Sequence, residues 1–428
     1  MPLLLMFVSL VFFIIVRMPI AMSMLLSSFL YLLVDGRFSY TIMAERVASA
    51  MDSFPFLAIP YFIMAAEIMN SGGISDRIFN FAQAFVGHIQ GGLGQVNVLA
   101  SVIFSGMSGS AAADAAGLGA IEIRAMLKEG YDRGFSAAIT AASSTIGPIF
   151  PPSIQMVLYG VMAQVSAGHL FAAGMAPGLL LGLGFMITVA IMARLGMITA
   201  PRRPRATMAQ IIKATKDALP CMLIPIVLLG GIFSGQFTPT EAGAVAVFLA
   251  LILALIYGEM TYRDIPTLLI NGALASGKVA FLIAAANIFG WIVTREKLGH
   301  TAYNWIIGLG LDTWAILLLI NLLFFIAGLF IEGVAILMIS VPVFVPVLPM
   351  LGIHPVTFGV LVVLLNMIGF LTPPVGVGTY IAMELAGARL EEVMRSLIPL
   401  LIPLIIMALL ITYWPPITLA IPRLIFGF

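Results

Sequence analysis

Residues 143–154 read SSTIGPIFPPSI, in the middle of an apolar run from Phe135 to Ala163 that is long enough to cross a membrane. A glycine and three prolines at the centre of such a helix are costly, because each proline removes a backbone donor and clashes with the preceding turn. The chain carries that disruption twice. IGPIFPP at 146–152 returns as IGFLTPP at 368–374, an offset of 222. The same offset pairs Gly36 with Gly258, Gly106 with Gly328, Gly130 with Gly352 and Pro177 with Pro399, and sets Ser144 on Asn366. Apolar coincidences arise by chance along a hydrophobic chain; glycines and prolines at one shared offset mark an internal duplication.

Composition fixes the medium. The 428 residues are 61% apolar and only 9% charged, against roughly a quarter charged in a soluble domain. A formal net charge of +1 excludes a strongly basic nucleic-acid binder. The lone Cys221 supplies neither a disulfide nor a thiolate metal site. The first residues, MPLLLMFVSLVFFIIVR, lack a basic region before the apolar run and a small-residue cleavage site, so they read as a retained span. These features describe an all-α polytopic membrane protein.

The first repeat is read as residues 1–200: a scaffold at 1–70, an amphipathic arm at 76–92, a re-entrant hairpin at 95–130 and a broken helix at 134–163. A basic linker, 201–217, precedes the second repeat at 218–428, with scaffold 218–294, arm 296–312, hairpin 314–352 and broken helix 355–384. Further interfacial arms are read at 40–52 and 262–276. About five crossings per half is an odd number, so the second half must run inverted relative to the first. The stretch 194–216 holds six Lys/Arg and no acid, which places it in the cytoplasm and both termini outside. With that topology fifteen of the twenty Lys/Arg fall on the inner side.

Non-helical backbone at membrane depth is tolerated only where protein or a polar cavity satisfies it, and matching breaks in inverted halves point to a central transport site. The freed carbonyls suit a cation, and the half-helix after the prolines presents amides and a positive dipole end to an anion. The expected cation ligands are Ser105, Ser108, Ser143, Ser144, Thr145, Gly147 and Pro148 in one half, and Gly328, Gly333, Asn366, Gly369 and Thr372 in the other. Substrate is expected at Ser110, Asp114, Pro151, Pro152, Glu332, Pro373 and Pro374. Each has a plainer reading: packing kinks for the prolines, close helix approach for the serines, and a cap on the returning helix for Asp114. Arg124 has a guanidinium suited to a carboxylate, but fourteen residues past Ser110 it lies about 21 Å along a helix, where it snorkels to the surface. The four histidines have no metal-ligand spacing, and no catalytic residue and no metal beyond that cation is expected.

At these residues the chain resembles a known family. GSAAADAAGLGAIEIRAMLKEGYDRGFSAAITAASSTIGPIFPPSIQMVLYG (109–160) and IGFLTPPVG (368–376) are similar to the paired blocks of the large membrane (M, or DctM-type) subunit of tripartite ATP-independent periplasmic (TRAP) transporters. The likeness runs along essentially the whole chain; Arg124 stands where many relatives have a proline. The resemblance implies a bacterial inner-membrane, sodium-coupled importer of carboxylates, sialic acids and C4-dicarboxylates among them. It implies a small four-helix membrane subunit, a soluble periplasmic substrate-binding protein, and an elevator motion of hairpins and broken helices past a static scaffold. A chain that begins at its first crossing suggests that the small subunit is separate. A standalone sodium–carboxylate symporter of the same architecture needs no binding protein and is the nearest alternative. An intramembrane enzyme needs an Asp pair, a Ser/His dyad or a zinc helix at workable spacing, none of which is present; a pump lacks its GxxxxGK[ST] loop.

Overall fold

The computed structural model describes residues 2–427 except 53, 202, 300, 302, 303, 305–307 and 309, and among them every regular element is helical. Eight of these helical segments are long and apolar enough to cross a membrane. Their outward faces carry large apolar side chains such as Leu183, Ile187, Ile226 and Phe248, all exposed. That is the surface expected of a chain solvated by lipid.

One group of helices is built from α1 (Pro2–Ile15), α2 (Ile20–Asp35), α3 (Thr41–Met51), α4 (Ala58–Ser71), α5 (Ile74–Val86), α12 (Met208–Phe233), α13 (Pro239–Ile256) and α14 (Ile265–Arg295). Helix α1 packs on α2, α2 on α14, and α4 on both α13 and α14. The α4–α13 seam follows from sequence. Ala242, Ala246, Ala250 and Ala254 recur every fourth residue and are all buried. A Cβ at Gly243 would lie 2.8 Å from the Cβ of Tyr61, so the two backbones meet closely, as small residues permit between membrane helices.

Two sequence-derived boundaries move. Residues 262–276 are not a separate arm: α14 runs unbroken for 31 residues, opened by Pro266 in its first turn, and the small residues Gly272, Ser276 and Gly277 lie inside it. Helix α12 begins at Met208, within the expected linker, because Thr207 and Gln210 form a capping box there. The second arm, 296–312, lies partly outside the described residues.

Near the end of α14, Tyr31 donates a hydrogen bond to Glu296 Oε1 at 2.6 Å, and Arg37 pairs with the same carboxylate and with Asp35. The Tyr31 hydroxyl foremost, with Arg37 adding to it, holds the Glu296 carboxyl below its ordinary range. A carboxyl lowered on folding stabilises the fold above its unfolded pKa of about 4.3, and that stability is lost as pH falls through the lower folded value. Replacing Tyr31 with Phe is therefore expected to shrink this acid-sensitive contribution. Thermal unfolding of the purified protein between about pH 3 and pH 6 checks it: the difference between wild type and Y31F should be large at the upper end and vanish at the lower.

The second group holds α6 (Leu93–Ser108), α7 (Ala111–Ala116), α8 (Leu118–Lys128), α9 (Arg133–Ser144), α10 (Ile154–Ala163) and α11 (Ala167–Arg194). From the other half come α15 (Thr313–Phe330), α16 (Gly333–Phe344), α17 (Pro355–Leu371), α18 (Val377–Ala386), α19 (Leu390–Tyr413) and α20 (Pro416–Phe426). The halves interlock. Helix α9 packs on α18 and α19, α10 on α16 and α17, and α11 on α20. Helix α20 follows α19, the last membrane-long helix; its Ile417, Thr418, Leu419 and Pro422 are buried while Arg423 and Leu424 face outward.

Candidate functional site

Each break answers its own backbone deficit. In the first, Thr145, Ile146 and Gly147 donate to the carbonyls of Ala142, Ser143 and Ser144, so tight turns carry the chain on from α9. Ser153 then caps α10, its hydroxyl accepting from Met156 N at 3.2 Å. Between α17 and α18 the Thr372 hydroxyl donates to the Ile368 carbonyl and Thr379 to the Leu371 carbonyl, both at 2.6 Å. Pro151–Pro152 and Pro373–Pro374 are both cis, at the shared offset.

Each break is also tied to the helix–turn–helix tip beside it by one backbone hydrogen bond. Ile154 N donates to the Gly109 carbonyl at 3.3 Å, and Val375 N donates to the Leu329 carbonyl at 3.2 Å. Glycine makes these approaches possible. Gly109 turns the first tip at φ +61°, and a Cβ there would meet the Pro152 carbonyl oxygen at 2.5 Å. A Cβ at Gly369 would lie 2.5 Å from the Gly328 carbonyl oxygen. Asn366 adds a side-chain tie, donating from Nδ2 to the Gly333 carbonyl at 2.9 Å.

Between the two tips and the two breaks lies a cavity of about 230 Å³. Of the residues picked out from sequence it is lined by Ser110, Pro148, Gly328, Glu332, Gly333, Asn366 and Gly369. Ile154, Gln155 and Val377 also line it, so the first turns of α10 and α18 both open onto it. The remaining lining is apolar, with Ile63 from α4 and Val279 from α14 closing one side. Glu332 is the one ionisable side chain on its wall among the described residues.

Other sequence candidates go elsewhere. Ser143 belongs to a buried network, donating to Asn97 Oδ1 at 2.6 Å and accepting from Ser101 at 3.0 Å, while Asn97 Nδ2 reaches Thr140. Ser105, Ser144 and Thr145 turn their hydroxyls back to the carbonyls three residues earlier. The cap of α7 is Ser110, whose Oγ accepts from Ala113 N, rather than Asp114. Pro151 and Pro152 are buried behind the cavity wall, Pro373 is half-buried, and Pro374 is exposed. Arg124 is exposed on α8, away from the cavity.

Asp114 is 2% exposed and sits between tip and break. Its Oδ1 accepts from the Ser108 hydroxyl, and its Oδ2 has no hydrogen-bond partner. That oxygen lies against Gly147, 2.7 Å from where a Cβ would stand, and the Ser144 carbonyl oxygen borders the same point at 3.3 Å. In the other half Asn366 Oδ1 is likewise buried and unpartnered. Buried polar atoms are ordinarily bonded, so these two orphaned oxygens, one at each tip–break junction, are hard donors left without a partner in the structure. Sequence reasoning passed over other buried, unpartnered acceptors, among them Glu122 Oε1 and the cavity-lining Gln155 Oε1. Gln155 had a legible signal, a polar residue in the first turn after the proline pair.

A lipid-facing helical bundle whose two proline-broken helices meet two helix–turn–helix tips around one cavity defines a polytopic membrane transporter. The chain belongs to the family described as tripartite ATP-independent periplasmic transporter, DctM component, whose model matches residues 7–417. It is 40% identical over 413 residues to the sialic acid TRAP transporter large permease protein SiaM of Vibrio cholerae, covering 96% of each chain. It is 37% identical over 402 residues to the C4-dicarboxylate TRAP transporter large permease protein DctM of Pseudomonas aeruginosa, covering 94% of each. The sialic acid TRAP transporter permease protein SiaT of Haemophilus influenzae is 37% identical over 96% of this chain, which spans 66% of that longer protein. Among solved structures the YdaH transporter of Alcanivorax borkumensis superposes with a TM-score of 0.60 over 86% of this chain and 88% of that one, at 17% identity, a likeness of fold. The relatives are named as transporter permeases, not as enzymes.

Proposed function

We propose that the chain imports an organic acid of the sialic acid or C4-dicarboxylate type, driven by sodium and delivered by a periplasmic binding protein. The observation that carries this reading is the charge make-up of the central cavity. Its wall presents the starts of two half-helices, whose positive dipole ends favour an anion. It offers no Lys or Arg among its described lining residues, and it carries Glu332. With no Lys or Arg among those residues, an anionic solute finds no fixed cationic side chain to pair with unless positive charge enters with it. Co-transported sodium supplies that charge. Asp114 Oδ2 and Asn366 Oδ1, with the carbonyls around Gly147 and Gly369, are the atoms that would hold it.

The residues' own work in this reading is to order the site. Ties from Ile154 to Gly109 and from Val375 to Leu329 hold each tip against its break, so occupancy at the junctions and closure of the substrate cavity favour one another, a coupling that is reciprocal by linkage. We infer an elevator in which α6–α11 and α15–α20 move together against the first group, with the halves in inverted orientation and both termini outside. We infer a small membrane subunit as partner; the SiaT relative is longer than this chain, which spans 66% of it.

Uptake into proteoliposomes tests the reading. With this chain, a candidate small subunit, an inward sodium gradient and the cognate binding protein, sialic acid or succinate is expected to accumulate. Replacing sodium with potassium or omitting the binding protein is expected to abolish accumulation. Sodium-driven uptake that ignores the binding protein would favour the standalone symporter, and sodium-independent uptake would overturn the coupling.

A further inference from the structure

We propose that a second cavity, between α3, α14 and α16, binds the anionic head of a small amphipathic molecule on Arg46. This cavity measures about 430 Å³ and is separate from the central one, with no lining residue in common. Its polar wall consists of Arg46, Ser49, Gln164, Asn287, Trp291 and Thr294. Its apolar wall is made by Phe56, Met338, Val341 and Pro342. No Asp or Glu lines it among the described residues.

Arg46 is built into this site and left without an anion. It makes no ion pair among the described residues, and its Nε is buried with no hydrogen-bond acceptor. The guanidinium lies 5.5 Å from the centre of the Trp291 ring, and that indole is itself held edge-on by Phe38 at 5.1 Å. Asn287 donates to the Arg46 carbonyl at 2.8 Å, fixing the α3 backbone to α14. The cation is thus stacked and positioned, and what it lacks is an acceptor. A planar guanidinium pairs best with a carboxylate or phosphate, whose two oxygens match its fork. The apolar wall then accepts a short hydrocarbon segment behind that head. A soluble fatty acid and an anionic phospholipid share this chemistry.

The walls come from both helix groups: α3 and α14 from one, α16 from the other. A Cβ at Gly290 of α14 would lie only 2.9 Å from Pro342 of α16, so they are in close contact there. An occupant would bridge the two groups and, on the elevator reading above, oppose their relative movement. The binding itself does not depend on that reading and is tested without transport.

The full chain is reconstituted in phosphatidylcholine nanodiscs, and tryptophan fluorescence is followed. In one arm ω-bromooctanoate is titrated; in the other, brominated phosphatidylglycerol replaces part of the lipid, with brominated phosphatidylcholine as reference. Bromine quenches an indole in contact, so saturable quenching is expected in at least one arm, and W291F should remove it. R46Q should weaken binding at least about tenfold with an unchanged unfolding midpoint, and R46K should fall between, because a lysine keeps the charge without the fork. An Arg46-dependent response to ω-bromooctanoate identifies a free acid as the ligand source, and one confined to phosphatidylglycerol identifies a lipid. Quenching that R46Q leaves unchanged in both arms would overturn the proposal.

Discussion

Gly369→Ala is expected to abolish uptake, to below about 1% of wild type, although it adds a single methyl group. The new Cβ would stand 2.5 Å from the Gly328 carbonyl oxygen and 2.7 Å from both the carbonyl carbon and Cα of Gly328. All three are backbone atoms, so no rotamer change relieves the clash; the second tip must move off its break. Overpacking of this kind costs about 1–3 kcal/mol where neighbours can adjust, and more where they cannot. The loss falls on the junction that carries Asn366 and Gly333. The reverse substitution is milder. A Cβ at Gly328 meets the Gly369 Cα at 3.2 Å, which a few tenths of an ångström of relaxation removes, so Gly328→Ala should retain a measurable fraction of uptake. Gly230→Ala is the control: it lies inside α12 with nothing within 4 Å of its would-be Cβ, and alanine there should be neutral or slightly stabilising. Sodium-driven uptake by all three variants at matched protein levels checks the ranking. If Gly369→Ala transports like wild type, the tip–break contact is not part of the working site.

The architecture was legible where glycine and proline carry the message. The duplicated IGPIFPP and IGFLTPP runs mark both breaks, because a glycine followed by clustered prolines removes several donors and clashes with the preceding turn, and the composition forbids solvent to satisfy what is freed. The tips carry Gly106, Gly109, Gly328 and Gly333, and glycine, having no Cβ, admits the close backbone approach found there. The site itself was only half legible. Ser143 looks like a ligand beside a break, yet its partners Asn97 and Ser101 lie more than forty residues away, and only packing brings α6 against α9. Ser144 and Thr145 satisfy themselves locally, as hydroxyls in helices commonly do. The arm expected at 262–276 failed on a different point. Asn271 and Ser276 make that segment look interfacial, but no proline follows Pro266 within the helix, and isolated small or polar residues are tolerated inside one. The cavity on Arg46 was invisible altogether, since Arg46, Gln164 and Asn287 share no motif and are joined only by the fold.

The other large effect is expected at Asp114, where two substitutions separate shape from charge. Asp114→Asn keeps the volume and keeps an oxygen to accept from Ser108. Its amide nitrogen would occupy the position of the unpartnered Oδ2, against Gly147 and beside the Ser144 carbonyl, where a donor finds an acceptor. A purely structural Asp114 would therefore be replaced without loss, and the unfolding midpoint should be equal to or above that of wild type. The function proposed here requires the opposite for transport. An amide turned donor-outward cannot hold a cation, so Asp114→Asn should reduce sodium-driven uptake at least about a hundredfold while the protein stays folded. Asp114→Ala should lose both: the Ser108 hydroxyl is left buried without its acceptor, which costs about 1–3 kcal/mol, and transport fails as well. Measured together, unfolding midpoints and sodium titrations of uptake distinguish the cases. Wild-type uptake and sodium affinity in Asp114→Asn would show that the orphaned oxygen has no part in coupling, and would leave Asn366 as the remaining orphaned side-chain oxygen for the cation among the atoms proposed here.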